Sequence, residues 1–246
     1  MSKAAGLVTL LLCTLALSCA AQEADWSDYA ALLAAHVKPG TRHGIALNRV
    51  DYGALGADPR FAAALAALSR FQTIKLANKN EKLAFYLNAY NLLALKTVVL
   101  HRPLHSIKDV GNFLSPVWKR EIGTLDGRAV SLDDIENDSL RGQGEPRIHM
   151  AIVCASVSCP DLREEPYRAA TLAAQLDDQA RTFLANPGKG LRIDGDTAHV
   201  SKIFKWFSAD FDATGGVAAF IAKHHGLPTG TKINADLDYD WRLNGE

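Results

Sequence analysis

Apolar positions are distributed unevenly along this chain, and their spacing predicts its elements. In "NEKLAFYLNAYNLLALKTVVL", Asn80 to Leu100, apolar residues fall on nearly every face of a helical wheel. Such a stretch predicts a helix buried on all sides, ended by Arg102-Pro103. Upstream, Trp26, Tyr29, Ala30, Leu33 and Val37 keep helical spacing and predict a short helix over 26–36. Asp58 as N-cap and Pro59 at the first helical position open another helix, with Phe61, Leu65, Leu68 and Phe71 as its apolar stripe. Residues 43–60 between these two read as irregular, with short strands. "SIKDVGNFLSPVW" predicts a short helix and a loop. Asp126-Gly127 sits between two short strand-like runs and predicts a hairpin; Asp194-Gly195 predicts a second. Ser131 with Asp134 resembles a capping box and opens a helix through Leu140.

The remaining pattern is read the same way. "RIHMAIV", Arg147 to Val153, is a short continuous apolar run and predicts a buried strand. Tyr167 to Pro187 is an amphipathic helix ended by Asn186-Pro187-Gly188. "SKIFKWFSADF" begins a short helix, "GGVAAFIAKHHG" is a helix stopped at Gly226, and "LDYDWRLN" is a last strand. Helices and small hairpins are mixed without βαβ alternation. This predicts an α+β fold, a single domain over 22–246 with a buried central helix, short β-hairpins and surrounding helices.

The N-terminus adds a compartment. Lys3 precedes an uncharged apolar run from Ala4 to Leu17 and then small residues. This predicts a signal peptide over 1–21. Two cleavages compete: "ALSC" would make Cys19 the lipidated first residue, whereas "SCA" or "CAA" would release a soluble protein near Ala21 or Gln22. Either predicts an exported chain, periplasmic or lipid-anchored in the cell envelope. No other apolar run is read as approaching the roughly 20 residues of a membrane span. With 27 basic and 27 acidic residues there is no electrostatic case for nucleic acid or an anionic membrane surface. No cofactor is called for.

Candidate chemistry concentrates in two places. Asn88 and Asn91 stand three apart on the buried helix, with Glu81 two turns before Asn88. A buried amide must be given fixed partners, since a lost one costs about 1–3 kcal/mol. These two either tie down loops or orient a catalytic group. The second place is "RIHMAIVCASVSCPDLR". Strand alternation puts His149 and Cys154 on opposite faces. Cys159 precedes Pro160, and a helix starting there would set it at an N-cap, where a thiolate is favoured; Arg163 would add positive potential. Cys159 is then the candidate nucleophile, with His149 or His199 as base. A Cys154–Cys159 disulfide, two structural thiols, and a metal site of two Cys and one His stand beside that reading; the spacing suits zinc poorly. The aromatic cluster Ile203 to Phe211 reads as core or as a pocket wall, with Asp210 as an orienting carboxylate.

Together "FYLNAYNLLAL" (85–95), "SLDDIEN" (131–137), the cysteine run (147–163) and "KIFKWFSADF" (202–211) resemble the DUF547 family, a domain of unknown function, over about residues 80–225. The family pattern is an aromatic–x–Asn–x–Tyr–Asn helix, a His–(x)4–Cys–(x)4–Cys–Pro run and a Lys–Ile–Phe–x–Trp segment. Here Tyr86 stands where Trp is common. The resemblance implies that Asn88, Asn91, His149, Cys154, Cys159 and Trp206 belong to one shared pattern. By analogy with papain-like and transglutaminase-like enzymes, it points to a thiol-dependent hydrolase or acyl transferase acting on an amide or ester. Cys159 would be the nucleophile, His149 the base and Asn88 the orienting or oxyanion group. The rival expectation is a non-catalytic envelope domain that binds a protein, peptide or glycan and is stapled by a Cys154–Cys159 disulfide.

Overall fold

The computed structural model describes residues 23–228 and 230–246. The signal peptide expected over residues 1–21, with Cys13 and the anchor candidate Cys19, lies outside the described residues. The chain is mixed helix and sheet, built on one buried helix. Helix α1 (Ser27–His36) runs into an antiparallel hairpin of β1 (Val37–Arg42) and β2 (Ile45–Val50), followed by α2 (Tyr52–Ala57) and α3 (Pro59–Arg70). Asp58 caps α3 by accepting from the Arg60 amide, and Pro59 occupies the first turn, as its fixed φ allows.

The central helix α4 (Lys79–His101) starts at Asn78, whose side chain accepts from the Glu81 amide. Fifteen of its residues are buried, Leu83 to Leu95 without a break except Tyr86. By length and apolarity α4 could cross a bilayer, which corrects the expectation that no run after the leader comes near that length. In the structure 78% of its most apolar window is buried inside the fold. Helices α2 and α3 pack against it, as does the turn after the second hairpin. That hairpin, β3 (Gly123–Leu125) with β4 (Arg128–Val130), turns through Asp126 and Gly127, both in the left-handed region at φ 49° and 74°. This is the geometry an Asp-Gly turn favours.

Ser131 and Asp134 form the expected box: Ser131 Oγ accepts from the Asp134 amide at 3.1 Å, and Asp134 Oδ2 accepts from the Ser131 amide at 2.8 Å. The turn they open is π-helical over Asp134–Leu140. The strand expected at Arg147 to Val153 is instead a 3-10 helix over Pro146–Met150 followed by extended chain. Pro146 presets the first turn, and the Glu145 side chain caps it by accepting from the Arg147 amide. An apolar run buried on every side carries no periodicity that distinguishes the two. No helix starts at Pro160: residues 160–163 are irregular, so Cys159 has no helix N-terminus beside it.

Helix α5 (Leu172–Leu184) leads to a three-stranded sheet in which β5 (Leu191–Asp194) and β6 (Thr197–Ser201) are antiparallel. Then come α6 (Ile203–Trp206), a 3-10 segment (Ser208–Thr214) and α7 (Gly216–His224). The last strand is β7 (Lys232–Leu237), parallel to β6. It lies earlier than the strand expected at 237–244, which is irregular chain tied down by single bridges, Ser156 to Leu243 and Val50 to Gly245.

Two hydrophobic clusters result. One surrounds α4; the other gathers Phe183, Phe204, Phe211 and Phe220 from α5 to α7. The 3-10 helix joins them, since Ile148 belongs to the first and Met150 to the second. His149 lies between.

Candidate functional site

The two helix asparagines do different work. Asn91 Nδ2 donates to the Ala151 carbonyl at 3.0 Å, and its Oδ1 accepts from the Val153 amide at 2.8 Å. It therefore holds the extended chain that leads into Cys154. Asn88 makes the same pair of bonds with Tyr167, at 2.9 and 2.8 Å, on a separate loop. Both amides are satisfied by backbone, as buried polar groups must be. Asn88 is not in the wall that holds the thiols.

After Cys154 the chain reverses through Ala155, at φ 61°, and the C-terminal segment fastens to the turn. The Val157 amide donates to the Arg242 carbonyl at 2.9 Å, the Asn244 amide to Ala155 at 2.9 Å, and the Asp240 amide to Ser158 Oγ at 2.8 Å. This brings Tyr239 and Trp241 to the cysteines. The reversal also puts Cys159 Sγ 2.8 Å from the Cys154 amide nitrogen. Cys154 Sγ lies 3.1 Å from Ser156 Oγ and 3.3 Å from the Tyr239 hydroxyl.

Both cysteines are free thiols, and their surroundings make them unlike. Cys154 is half-buried, whereas Cys159 is 3% exposed. Burial pushes the Cys154 thiol up, but hydrogen bonds from Cys159, Ser156 and Tyr239 outweigh it and bring the thiol below its usual value. Burial, and then the neighbouring Cys154 sulfur, push Cys159 the other way. Of the pair, Cys154 is the more acidic thiol, and Cys159 Sγ accepts from the Cys154 backbone amide.

His149 lies in the same cavity. Its Nε2 is 2.7 Å from Asp210 Oδ2, and its ring stacks on Phe207 with centroids 4.2 Å apart. Asp210 is gripped from the far side by Arg141, Nε to Oδ2 at 2.6 Å and Nη2 to Oδ1 at 2.8 Å. Arg141 also donates to Asn137 Oδ1 at 2.8 Å. The Arg141 guanidinium keeps the Asp210 carboxyl below the usual carboxylate range. Burial lowers His149, with Asp210 opposing it. A neutral His149 donates from Nε2 to the Asp210 carboxylate, which leaves Nδ1 as a lone-pair acceptor. Nδ1 is buried and has no hydrogen-bond partner. No hydrogen bond joins His149 to Cys154.

Cys154, Cys159, His149 and Glu136 line one cavity of about 400 Å3. Its outer wall is aromatic: Trp206 and Trp241 stack at 5.8 Å, and Tyr239 packs against both at 4.9 and 4.5 Å. Trp206 remains 46% exposed, and Lys108 Nζ lies 4.6 Å over the Trp241 ring. Glu136 comes from the π-helical turn. Its Oε1 is buried without a partner, and burial, eased by Arg141, raises its carboxyl to about 7.

The structure thus brings together Cys159, His149 and Trp206 from the sequence reading, together with Cys154 and Asp210. It leaves Asn88 on the Tyr167 loop. His199, the alternative base, is on β6 and 2.8 Å from Asp236, outside the cavity wall. Arg163 is engaged by Asp178 and Glu165. Sequence reasoning gave no role to Glu136, Arg141 and Tyr239. Glu136 stood in the quoted "SLDDIEN" run, spaced as one helical face with Asp133 and Asn137, and that spacing was the available signal. Among the described residues no group of three His, Cys, Asp or Glu side chains is placed to hold a metal ion.

The α+β chain thus places the two thiols, His149 and Arg141 joined through Asp210, and the half-buried Glu136 carboxyl at one aromatic-walled cavity. Residues 74–184 of this chain match the family described as Protein of unknown function, DUF547. That match spans α4, the π-helical turn and both cysteines. Searches of the curated proteins and of the solved structures return no significant match.

Proposed function

We propose that this protein is an exported thiol-dependent hydrolase or acyl transferase acting on an amide or ester, with Cys154 as the nucleophile. The carrying observation is the inequality of the thiols in one cavity wall: Cys154 is half-buried, with Ser156 at 3.1 Å and Tyr239 at 3.3 Å around its Sγ, while Cys159 is only 3% exposed. The sequence reading put the nucleophile on Cys159; the geometry supports Cys154 better, because a nucleophile needs both thiolate character and access. Cys159 then serves as a donor to that thiolate. Asn91 takes the positioning role first considered for Asn88, since it holds Ala151 and Val153 in the extended chain leading into Cys154.

His149, with Nε2 committed to Asp210, offers Nδ1 as the general base that activates water or an acceptor for release of the acyl group. The aromatic wall suits the apolar or ring-bearing part of a substrate such as a peptide or glycan conjugate. The test is alkylation of the native, reduced protein by iodoacetamide followed by peptide mapping. Stoichiometric modification of Cys154, with Cys159 untouched, is expected. Preferential labelling of Cys159, or a native Cys154–Cys159 disulfide that resists reduction, would overturn the assignment; the second result would favour a non-catalytic binding domain.

A further inference from the structure

We propose that Glu136 is the proton donor to the leaving group in this reaction, an inference that rests on Cys154 acting as the nucleophile. Three observations of geometry carry it. Glu136 lines the same cavity as Cys154 and His149. Its Oε1 is buried with no hydrogen-bond partner, in contrast to Asp210, whose two oxygens are taken by Arg141 and His149. It stands in a π-helical turn, in which the Arg141 amide bonds the Glu136 carbonyl five residues back. Such turns are uncommon and recur at functional sites. A carboxyl left unpaired and partly desolvated stabilises nothing in the fold, and it is suited to giving up a proton.

The groups around Glu136 agree with a protonated resting state. Arg141 is the cation that acts on it, and its guanidinium is committed elsewhere, Nε and Nη2 to Asp210 and Nη1 to Asn137. Asp133 beside the same turn, Asp210 behind Arg141 and His149, and Cys154 all oppose a charge on Glu136. From α4 the neighbour is Tyr90, a neutral phenol.

The chemistry divides between two groups. The Cys154 thiolate attacks the carbonyl carbon, and the π pair moves to oxygen. On collapse that pair re-forms the carbonyl, the bond to the leaving group breaks, and its electron pair departs with the leaving atom. The Glu136 O–H proton passes to that atom, leaving a thioester and a Glu136 carboxylate. In the second half His149 Nδ1 takes a proton from water, the hydroxide adds to the thioester, and the Cys154 thiolate is expelled. The proton on His149 returns through solvent to Glu136. The sum is acyl–X plus water giving acid plus HX.

The experiment compares acylation of Cys154 by two acetate esters, followed by intact mass. One is p-nitrophenyl acetate, whose leaving group departs unprotonated; the other is trifluoroethyl acetate, whose alkoxide requires a proton. For Glu136→Gln, the p-nitrophenyl ester should acylate Cys154 at the wild-type rate within about twofold. The trifluoroethyl ester should be slowed by about 100-fold, the usual size of general-acid assistance. The wild-type rate with that ester should fall above pH 7 as Glu136 loses its proton, and Glu136→Gln should lack that limb. Equal losses with both esters, no loss with either, or wild-type acylation by the p-nitrophenyl ester alone would overturn the proposal. If wild-type Cys154 is acylated by neither ester, the nucleophile assignment itself fails. The iodoacetamide rate of Cys154 in Glu136→Gln controls for folding, and should equal or exceed that of the wild type.

Discussion

Cys154 and Cys159 are five residues apart in a chain whose own turn decides which of them is reactive. Sequence spacing supplies both cysteines but not their order of importance. That order depends on the Ala155 reversal and on Tyr239, 85 residues further on. Alternation along a strand set His149 and Cys154 on opposite faces; the 3-10 turn over Pro146–Met150 changes that period, and both side chains reach one cavity. Removing the donor should expose the dependence. In Cys159→Ala, Cys154 loses its largest stabilising hydrogen bond, so its thiol pKa should rise. Iodoacetamide alkylation at pH 7 should fall, and recover as pH is raised; an unchanged pH profile would show that Cys159 does not act as the donor. The asparagines offer a parallel contrast. Asn88→Ala and Asn91→Ala each strand one buried amide and one buried carbonyl of the backbone. Each should cost roughly 2–6 kcal/mol in denaturant unfolding, from about 1–3 kcal/mol for each of the two orphaned groups. Only Asn91→Ala should also slow Cys154 alkylation in the folded protein, because it alone releases residues 151–153.

Elements set by local rules were legible. The buried helix α4, the Asp-Gly hairpin β3–β4, the Asp58-Pro59 start of α3 and the Ser131–Asp134 box all follow from caps, turns and periodicity within a few residues. Elements decided by distant contacts were not. The 3-10 helix at Pro146 is an apolar run surrounded by both clusters, and the irregular chain after β7 is held by the turn around Ser156 rather than by a strand partner of its own. The parallel pairing of β6 with β7 joins residues over thirty positions apart and has no local signature. Packing at the end of α5 is equally non-local. A Cβ on Gly190 would lie 1.7 Å from the Phe183 carbonyl oxygen, so the return from α5 into β5 needs glycine there. Gly190→Ala should lower the melting temperature markedly, in line with the 1–3 kcal/mol or more that overpacking costs. A melting temperature equal to wild type would mean that this return is looser than its close backbone approach implies.

Across the molecule, the cavity sits where the two hydrophobic clusters meet, and its charges are set by that placement. Burial at the junction lowers His149 and raises Glu136, so the two groups oppose each other in their effect on stability between about pH 4.5 and 7. His149 binds fewer protons folded than unfolded, so its contribution improves as pH rises. Glu136 binds more protons folded than unfolded once pH exceeds its ordinary value of 4.5, and holds them up to about 7. Its contribution therefore falls with rising pH across that window and stays at its lowest above it. Replacing the carboxyl by an amide removes only the Glu136 part, because His149 is common to both proteins. The difference in unfolding free energy between Glu136→Gln and wild type should grow in favour of the variant from pH 5 to pH 8. Its limit is about 3 kcal/mol, from a shift of some 2.5 pKa units at 1.36 kcal/mol each. Urea titrations of both proteins at the two pH values measure it. A difference that does not change with pH would mean that Glu136 is ionised in the folded protein at neutral pH, and the carboxyl would then have no proton to give. A variant that is more stable at pH 8 and slower only with leaving groups that need a proton would show one residue carrying a functional cost in stability.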